Sequence, residues 1–542
     1  MADSVFWPLV GVVLMFLMLH GKTNPRLKHI PIVRYSNYLP TFVNRILYYP
    51  RAASMIYWGY EKYRNSAFRM LTGDGEVVVL PVRYLSELRY SQSSVISGLH
   101  AQYENALGDY TNLLINSHIP SMTVRKRLTP QLARVIPWII DELRYSFDVA
   151  IPECEDHWVP VKPHEMFVNL IARTTSRVVA GEGLRRNEEW LEAASSYSVN
   201  VGLTVLLLRP VPTYLRPLVA RFLPPVQQME SQLQFVKDLF IPIINERRAA
   251  HERAVQENDP GYVAPDDLLQ WMMDMAETKE DRDPEVLAHH VLLLMSLAVV
   301  HTSAMAMCHA LYDLLLRPEY IAPLREEIMT TLADGWENAT KRSFDNQKRL
   351  DSFLRESQRF GSPGELSFHR IVMEPLTLSD GLFLPVGTHI CFPSGPISKD
   401  PAHVEIPEIF DGFRWCQNPT DRNALTGIAG WKTPVGGKHN GHSSGDERID
   451  QQRMLKHVPS TSTSFVSISA SSMHFGAGAQ ACPGRFFAGC SIKAIFSKII
   501  MDYDFKYEEG RGNWRPANIC VGEHILPNTS TTVMFRKRSI EV

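Results

Sequence analysis

Between Arg282 and Arg317 the chain carries one long apolar stretch, and that stretch dictates what must be built around it. Asp283-Pro284-Glu285 is a good helix start: Asp283 can cap, Pro284 needs no N–H in the first turn, and Glu285 sits near the positive end of the dipole. Apolar residues then continue on nearly every face to Leu316, and Arg317-Pro318 ends the run. A helix of about thirty residues, apolar on most faces, has to be enclosed by protein. The pattern therefore predicts a core helix through the middle of a large body.

The rest of the 542 residues is compatible with that body: 45% are hydrophobic and 21% charged, an ordinary globular balance. A formal net charge of −2 gives no strong signal for a nucleic-acid partner. The seven cysteines, at 154, 308, 391, 416, 482, 490 and 520, are odd in number and contain no C-x-x-C pair, which argues against a disulfide framework or a zinc site. Residues 5–19 form an uninterrupted apolar run, somewhat short beside the ~20 residues of a comfortable membrane span. Asp3 precedes the run, whereas Lys22, Arg26 and Lys28 follow it, so the chain beyond it is expected on the cytoplasmic side. The expectation is a single-pass signal anchor and linker over 1–24, against the alternatives of a monotopic or cleaved segment.

Residues 50–95 hold short strand-like runs such as Glu76 to Leu80, and about 120–335 reads as largely helical, interrupted by prolines. The proline- and leucine-rich stretch 211–226, with Arg209, Arg216 and Arg221 in and around it, reads as a loop connecting helices or as a membrane-touching gate. Leu376-Thr377-Leu378 and Leu382-Phe383-Leu384 flank Ser379-Asp380-Gly381, a hairpin signal. Residues 418–456 are polar and glycine-rich and are expected to be a disordered insertion.

Near the C-terminus the chain reads His474-Phe475-Gly476-Ala477-Gly478-Ala479-Gln480-Ala481-Cys482-Pro483-Gly484-Arg485. Gly476 and Gly478 let the backbone take positive φ and approach a flat cofactor. Pro483 suits the first turn of a helix, which would place Cys482 at that helix's positive end and favour its thiolate. A single thiolate in such a loop suits the axial position of a haem, where it pushes electron density toward iron. The alternative is a small buried core cysteine.

This segment resembles the haem-binding loop of the cytochrome P450 family, Phe-x-x-Gly-x-x-x-Cys-x-Gly, with Phe475, Gly478, Cys482 and Gly484 at the pattern positions. Where the family usually has a basic residue that reaches a haem propionate, this chain has Gln480, which can donate a hydrogen bond but brings no charge. Within the apolar stretch, Ala298-Val299-Val300-His301-Thr302 is similar to the family's small–Gly–x–acid–Thr run, whose threonine helps deliver protons during oxygen activation; Val299 replaces the glycine and His301 the acid. Thr302 is thus the candidate for proton handling, and His301 is either a relay or a structural histidine bonded to backbone. Glu356 and Arg359 match the family's Glu-x-x-Arg pair, and Arg414, in Phe410 to Trp415, matches its second arginine motif. The resemblance implies a buried Glu–Arg–Arg network that supports the cysteine loop. It also places Arg370 on a propionate and aligns Arg125 with the arginine of the family's Trp-x-x-x-Arg motif, although the tryptophan position is Ser121; Arg127 is the fallback, and a solvated basic face is the other reading of this cluster.

The resemblance, strongest toward fungal oxidases such as the ent-kaurene-oxidase-like group, implies a fold that is mainly α with a smaller β region. In that fold, haem b lies between the long helix and the Cys482 loop of a catalytic domain over 25–542. It implies a monooxygenase using O₂ and electrons passed from NADPH by a flavoprotein reductase, acting on an apolar metabolite, anchored in the endoplasmic reticulum membrane with its body in the cytosol. Residues near 108–110, 295–302, 364–368 and 522–527 are expected to line the cavity. A haem-thiolate isomerase or dehydratase, and a haem-binding sensor, are the other function classes.

Overall fold

The helix Pro284–Leu316 does run through the interior, as expected from its apolar faces. In the computed structural model, which describes residues 24–114, 117–418, 421, 463–508 and 514–539, it is capped by Asp283, whose side chain accepts from Glu285 N. Its middle is not α-helical: Leu294–Val300 is wound as a π-helix between the α-helical turns Pro284–Leu293 and His301–Leu316. Met307, Leu311 and Leu314 on its second half are fully buried. Truncating any one of them would leave a cavity costing about 2–5 kcal/mol.

Helices dominate, with a smaller content of strand, so the mainly α expectation holds. Around the central helix pack the helices Leu132–Ala150, Pro163–Ala180, Glu188–Leu208 and Pro224–Glu257, joined in one apolar core. Asn187 caps the third of these by accepting from Trp190 N, and Asp267 caps the shorter helix Leu268–Met275 by accepting from Gln270 N while taking a two-pronged bond from Arg247. Among the described residues, Glu188–Leu208 and Pro284–Leu316 are long and apolar enough to cross a membrane, but both are about half buried in this core. The anchor expected over 5–19 lies outside the described residues, as does all of 418–456 except Asn418 and Asp421.

The strands are β1 (Ile32–Val33), β2 (Phe68–Leu71), β3 (Glu76–Val79), β4 (Ile96–Ser97), β5 (Val159–Val161), β6 (Ser367–Val372), β7 (Leu376–Thr377), β8 (Phe383–Leu384), β9 (His389–Phe392), β10 (Tyr503–Lys506), β11 (Ile519–Val521), β12 (His524–Leu526) and β13 (Val533–Lys537). The main sheet has the order β1-β2-β3-β9-β6-β4, and its apolar faces form a second core with the chain from Tyr60 to Leu88. The β7–β8 hairpin turns through Gly381 at φ 88°, the left-handed conformation that its glycine was expected to supply. The stretch 211–226 is less loop-like than expected. Arg216–Ala220 is a short helix, and the helix Pro224–Glu257 starts inside the stretch with prolines in its first turn.

Asp74, beyond β2, grips this stretch. It pairs with Arg209 at 3.0 Å and Arg216 at 2.9 Å, and Arg209 also donates to the carbonyls of Glu104 and Asn105 at a helix C-terminus.

Candidate active site

The cysteine loop is held by its own backbone. Cys482 N donates to Phe475 O at 2.9 Å, and Gly476 and Gly478 take φ 74° and 67°. A Cβ on Gly478 would fall 1.7 Å from Arg89 O, so only glycine lets this loop close against the neighbouring chain. The helix Arg485–Asp502 begins three residues after the cysteine, with Gly484 as its N-cap; Pro483 sits in the turn before it rather than in its first turn, as expected from sequence. Burial pushes the Cys482 thiol up, the largest effect, while the Gly484 and Arg485 N–H groups and the guanidiniums of Arg485 and Arg125 oppose it. The expected lowering by a helix terminus is therefore outweighed by desolvation.

Cys482 lines a cavity of about 2080 Å³ that also receives Thr302, Arg125 and Arg370. All four stretches expected to line it contribute, among them Tyr110, Val299, Phe368 and Leu526. Thr302 Oγ1 donates to Ala298 O at 2.8 Å, inside the wall formed by the π-helical segment.

His301 is not among the residues lining this cavity, and of its two expected readings, relay or structural histidine bonded to backbone, its contacts match the second. Its Nε2 is 2.7 Å from Ser195 O on the neighbouring helix, and its ring lies 5.6 Å from that of His164. Burial holds its pKa below the ordinary imidazole value, so the ring is a neutral strut between helices.

Arg370 on β6 is 6% exposed, and only its Nη1 is bonded, to His369 O at 2.6 Å. Its Nε and Nη2 are buried without a partner, and burial pulls its pKa down to about 10. Two orphaned donors on a buried guanidinium are costly unless an anion completes them. Together with the positive-φ glycines and the open space beside Gly484, they fit a haem whose propionate reaches Arg370. Arg125 Nη2 reaches Ala481 O at 3.4 Å beside the cysteine, whereas Arg127 is not part of the cavity wall.

Gln480 has a further use that depends on partners far along the chain. Its Oε1 accepts from Gly98 N at 2.8 Å and its Nε2 donates to Ile96 O at 3.0 Å. The amide thus clamps the cysteine loop to β4. One N–H of Nε2 remains beyond this clamp, and Gln480 lines the cavity beside Arg370.

Glu356 is fully buried and gathers five donors. Arg359 supplies Nη2 at 2.7 Å and Nε at 3.0 Å, Arg414 supplies Nε at 3.2 Å, and Asp411 N and Trp415 Nε1 complete the set. Burial pushes the Glu356 carboxyl up, but the two guanidiniums win and hold it below the ordinary range. The sequence reading missed a second tie on the same helix, Lys348–Phe360. Asp351 accepts from Phe465 N at 2.7 Å and pairs with Lys493 at 2.5 Å, joining this helix to the approach of the cysteine loop and to the helix behind it. Its signal was the density of polar residues on a helix that turns out to be buried.

The profile of the family described as Cytochrome P450 matches residues 124–433. The chain is 42% identical over 539 residues to "Cytochrome P450 monooxygenase penP" of Penicillium crustosum, covering 99% of this chain and 95% of the relative. It is 43% identical over 523 residues to "Cytochrome P450 monooxygenase janP" of Penicillium janthinellum, covering 96% and 92%. Against "Cytochrome P450 monooxygenase AtmP" of Aspergillus flavus the identity is 42% over 512 residues, covering 94% and 90%.

Proposed function

The chain belongs to the cytochrome P450 family of monooxygenases, and from that premise we propose that it oxidises an apolar metabolite of a fungal biosynthetic pathway, a terpenoid, polyketide or hybrid. The observation that carries the reading is that Cys482, Thr302, Arg125 and Arg370, distant in sequence, meet on one largely apolar cavity. When bound, haem b supplies the activation of O₂, one atom entering the substrate and the other leaving as water, with two electrons from NADPH through a flavoprotein reductase. Cys482 would hold its iron as the thiolate. The backbone of Phe475, Gly476, Gly478 and Gly484 would let it approach closely, and Arg370 and Arg125 would hold its propionates. Glu356, Arg359 and Arg414 brace the loop that presents Cys482. Deletion of the gene followed by metabolite profiling tests the substrate class. Accumulation of an apolar precursor lacking one oxygen supports it, and an unchanged profile overturns it.

Thr302 is the proton-handling group of this reading. Its hydroxyl is tethered to Ala298 O, so it can turn a lone pair to the cavity while its own proton stays engaged. Thr302→Ala is expected to keep haem content and NADPH consumption while product per NADPH falls by about tenfold or more, the difference appearing as peroxide. His301→Ala, in contrast, is expected to leave coupling and its pH profile unchanged. Full coupling in Thr302→Ala would remove the residue from the mechanism.

Residues 1–24 are the anchor in this reading, fixing the body of 25–542 to the cytosolic face of the endoplasmic reticulum, and 418–456 is an insertion outside the haem core. Removal of 1–21 is expected to shift most of the protein from the membrane to the soluble fraction, with haem incorporation intact. Retention of the membrane fraction would point to other surfaces.

A further inference from the structure

Most of the cavity is walled by apolar side chains such as Leu294, Leu297 and Leu206, but part of it is not. Glu523, in the turn between β11 and β12, is 9% exposed and lines the cavity with Tyr48, His369, His389 and Glu104. Its Oε1 lies 2.9 Å from His369 Nε2, and its Oε2 accepts from the Tyr48 hydroxyl at 3.2 Å. His369 Nδ1 is 3.0 Å from His389 Nε2, and His389 Nδ1 is 3.9 Å from Glu104 Oε2, beyond hydrogen-bond reach. The turn is pinned at three points: Gly522 takes φ 60°, its N–H donates to Tyr49 O at 2.8 Å, and Glu523 O accepts from Glu365 N at 2.8 Å. Glu523 is thus a rigid, buried carboxylate on the polar part of a largely apolar cavity, a costly arrangement for packing alone.

The protonation states follow from the surroundings. Burial alone would raise the Glu523 carboxyl, but His369, His524 and His389 pull it down to about 2, so it is ionised. Burial, then the nearby His369, takes His389 down to about 3, so that ring is neutral. His369 Nε2 faces the carboxylate and its Nδ1 faces the His389 ring. The Glu523 carboxylate, with two oxygens, has acceptor capacity beyond its contacts with His369 and Tyr48. The cluster therefore offers a charged acceptor to the cavity.

We propose that the Glu523–His369–His389 cluster is a specificity subsite that receives a hydrogen-bond donor, a hydroxyl or a ring N–H, carried by the otherwise apolar substrate. This rests on the monooxygenase reading and narrows its substrate class to molecules with one donor group on a hydrocarbon frame. Glu523 positions that group; it takes no part in the oxidation itself.

The test is binding of androstanol and of its methyl ether to the full-length holoenzyme by titration calorimetry, which requires no turnover. Loss of the oxidase reading would therefore leave this measurement standing, and the reverse also holds. The alcohol is expected to bind about tenfold more tightly than the ether to the wild type, as a charge-assisted hydrogen bond warrants. Glu523→Gln, nearly isosteric, should cut that preference to about twofold, again on hydrogen-bond strength. Tyr48→Phe removes a competing donor and should retain the preference, which also controls for folding around the turn. With the metabolite identified by gene deletion, Glu523→Gln should raise KM with kcat little changed. Equal affinity of the wild type for alcohol and ether, no binding of the alcohol, or a preference that survives in Glu523→Gln would each overturn the proposal.

Discussion

Cys482→Ala loses the thiolate-type, red-shifted Soret band of the reduced carbon-monoxide complex entirely, while the polypeptide still folds. The two halves of that expectation come from different features. Cys482 Sγ faces the cavity and lies outside the apolar core clusters, so its removal costs little packing, within about 1 kcal/mol for a site that deletes no core contact. The loop itself is fixed by backbone, through Cys482 N on Phe475 O and the positive-φ glycines, and alanine keeps all of that. Only the sulfur is lost. The measurement is the carbon-monoxide difference spectrum set beside a thermal melt. A surviving thiolate band with an unchanged melt would mean that Cys482 is not the ligand.

Glu356→Ala is expected to be the most damaging substitution for stability. It removes the acceptor for two guanidiniums, one indole N–H and one backbone N–H in a site that water does not reach. Breaking a buried charge network from one side costs about 3–5 kcal/mol, a large share of the ~5–15 kcal/mol that holds a typical domain together. The expected result is little folded holoprotein at growth temperature and, where any is recovered, a melting temperature lowered by several degrees. Glu356→Gln keeps the shape but not the charge and should fall between. The pH dependence has a definite sign. The folded Glu356 carboxyl sits below its ordinary value, so its contribution is complete above the unfolded value of about 4.3 and is lost as pH falls through the folded value. Acid unfolding of the wild type should therefore contain a component absent from Glu356→Gln. Wild-type stability in the Glu356→Ala protein would show that the network contributes nothing net.

What the sequence revealed was local. The cap at Asp283, the apolar faces behind it, the Gly381 turn and the glycine-bracketed cysteine are each decided within a few residues, and each appears where expected. What it hid depended on partners far along the chain. Gln480 looks like a weak substitute for a basic ligand until Ile96 and Gly98, nearly four hundred positions earlier, occupy both ends of its amide. His301 and Thr302 are adjacent letters, yet a helix turns them to different neighbours, one toward Ser195 and the other toward the cavity. The helix Lys348–Phe360 is polar enough to pass for a surface helix, and only the placement of Asp411, Arg414, Phe465 and Lys493 around it shows why it is buried. The Glu523 cluster joins residues 48, 369, 389 and 523 from four separate segments, and no spacing rule connects them.

The π-helical turn over Leu294–Val300 has a bearing on how this chain can change over generations. The chain carries valine where its resemblance to relatives calls for glycine and histidine where it calls for an acid, and the histidine is turned away from the cavity. Polarity on that wall is then carried by the Thr302 hydroxyl, tethered by the main-chain carbonyls of Ala298 and Val299. A carbonyl survives substitution of the side chain attached to it. Codons 298 and 299 are thus freer to drift, adjusting the volume offered to a substrate, than a site whose polarity hung on an acidic side chain would be. Selection on this segment should act on its winding first and on its letters second.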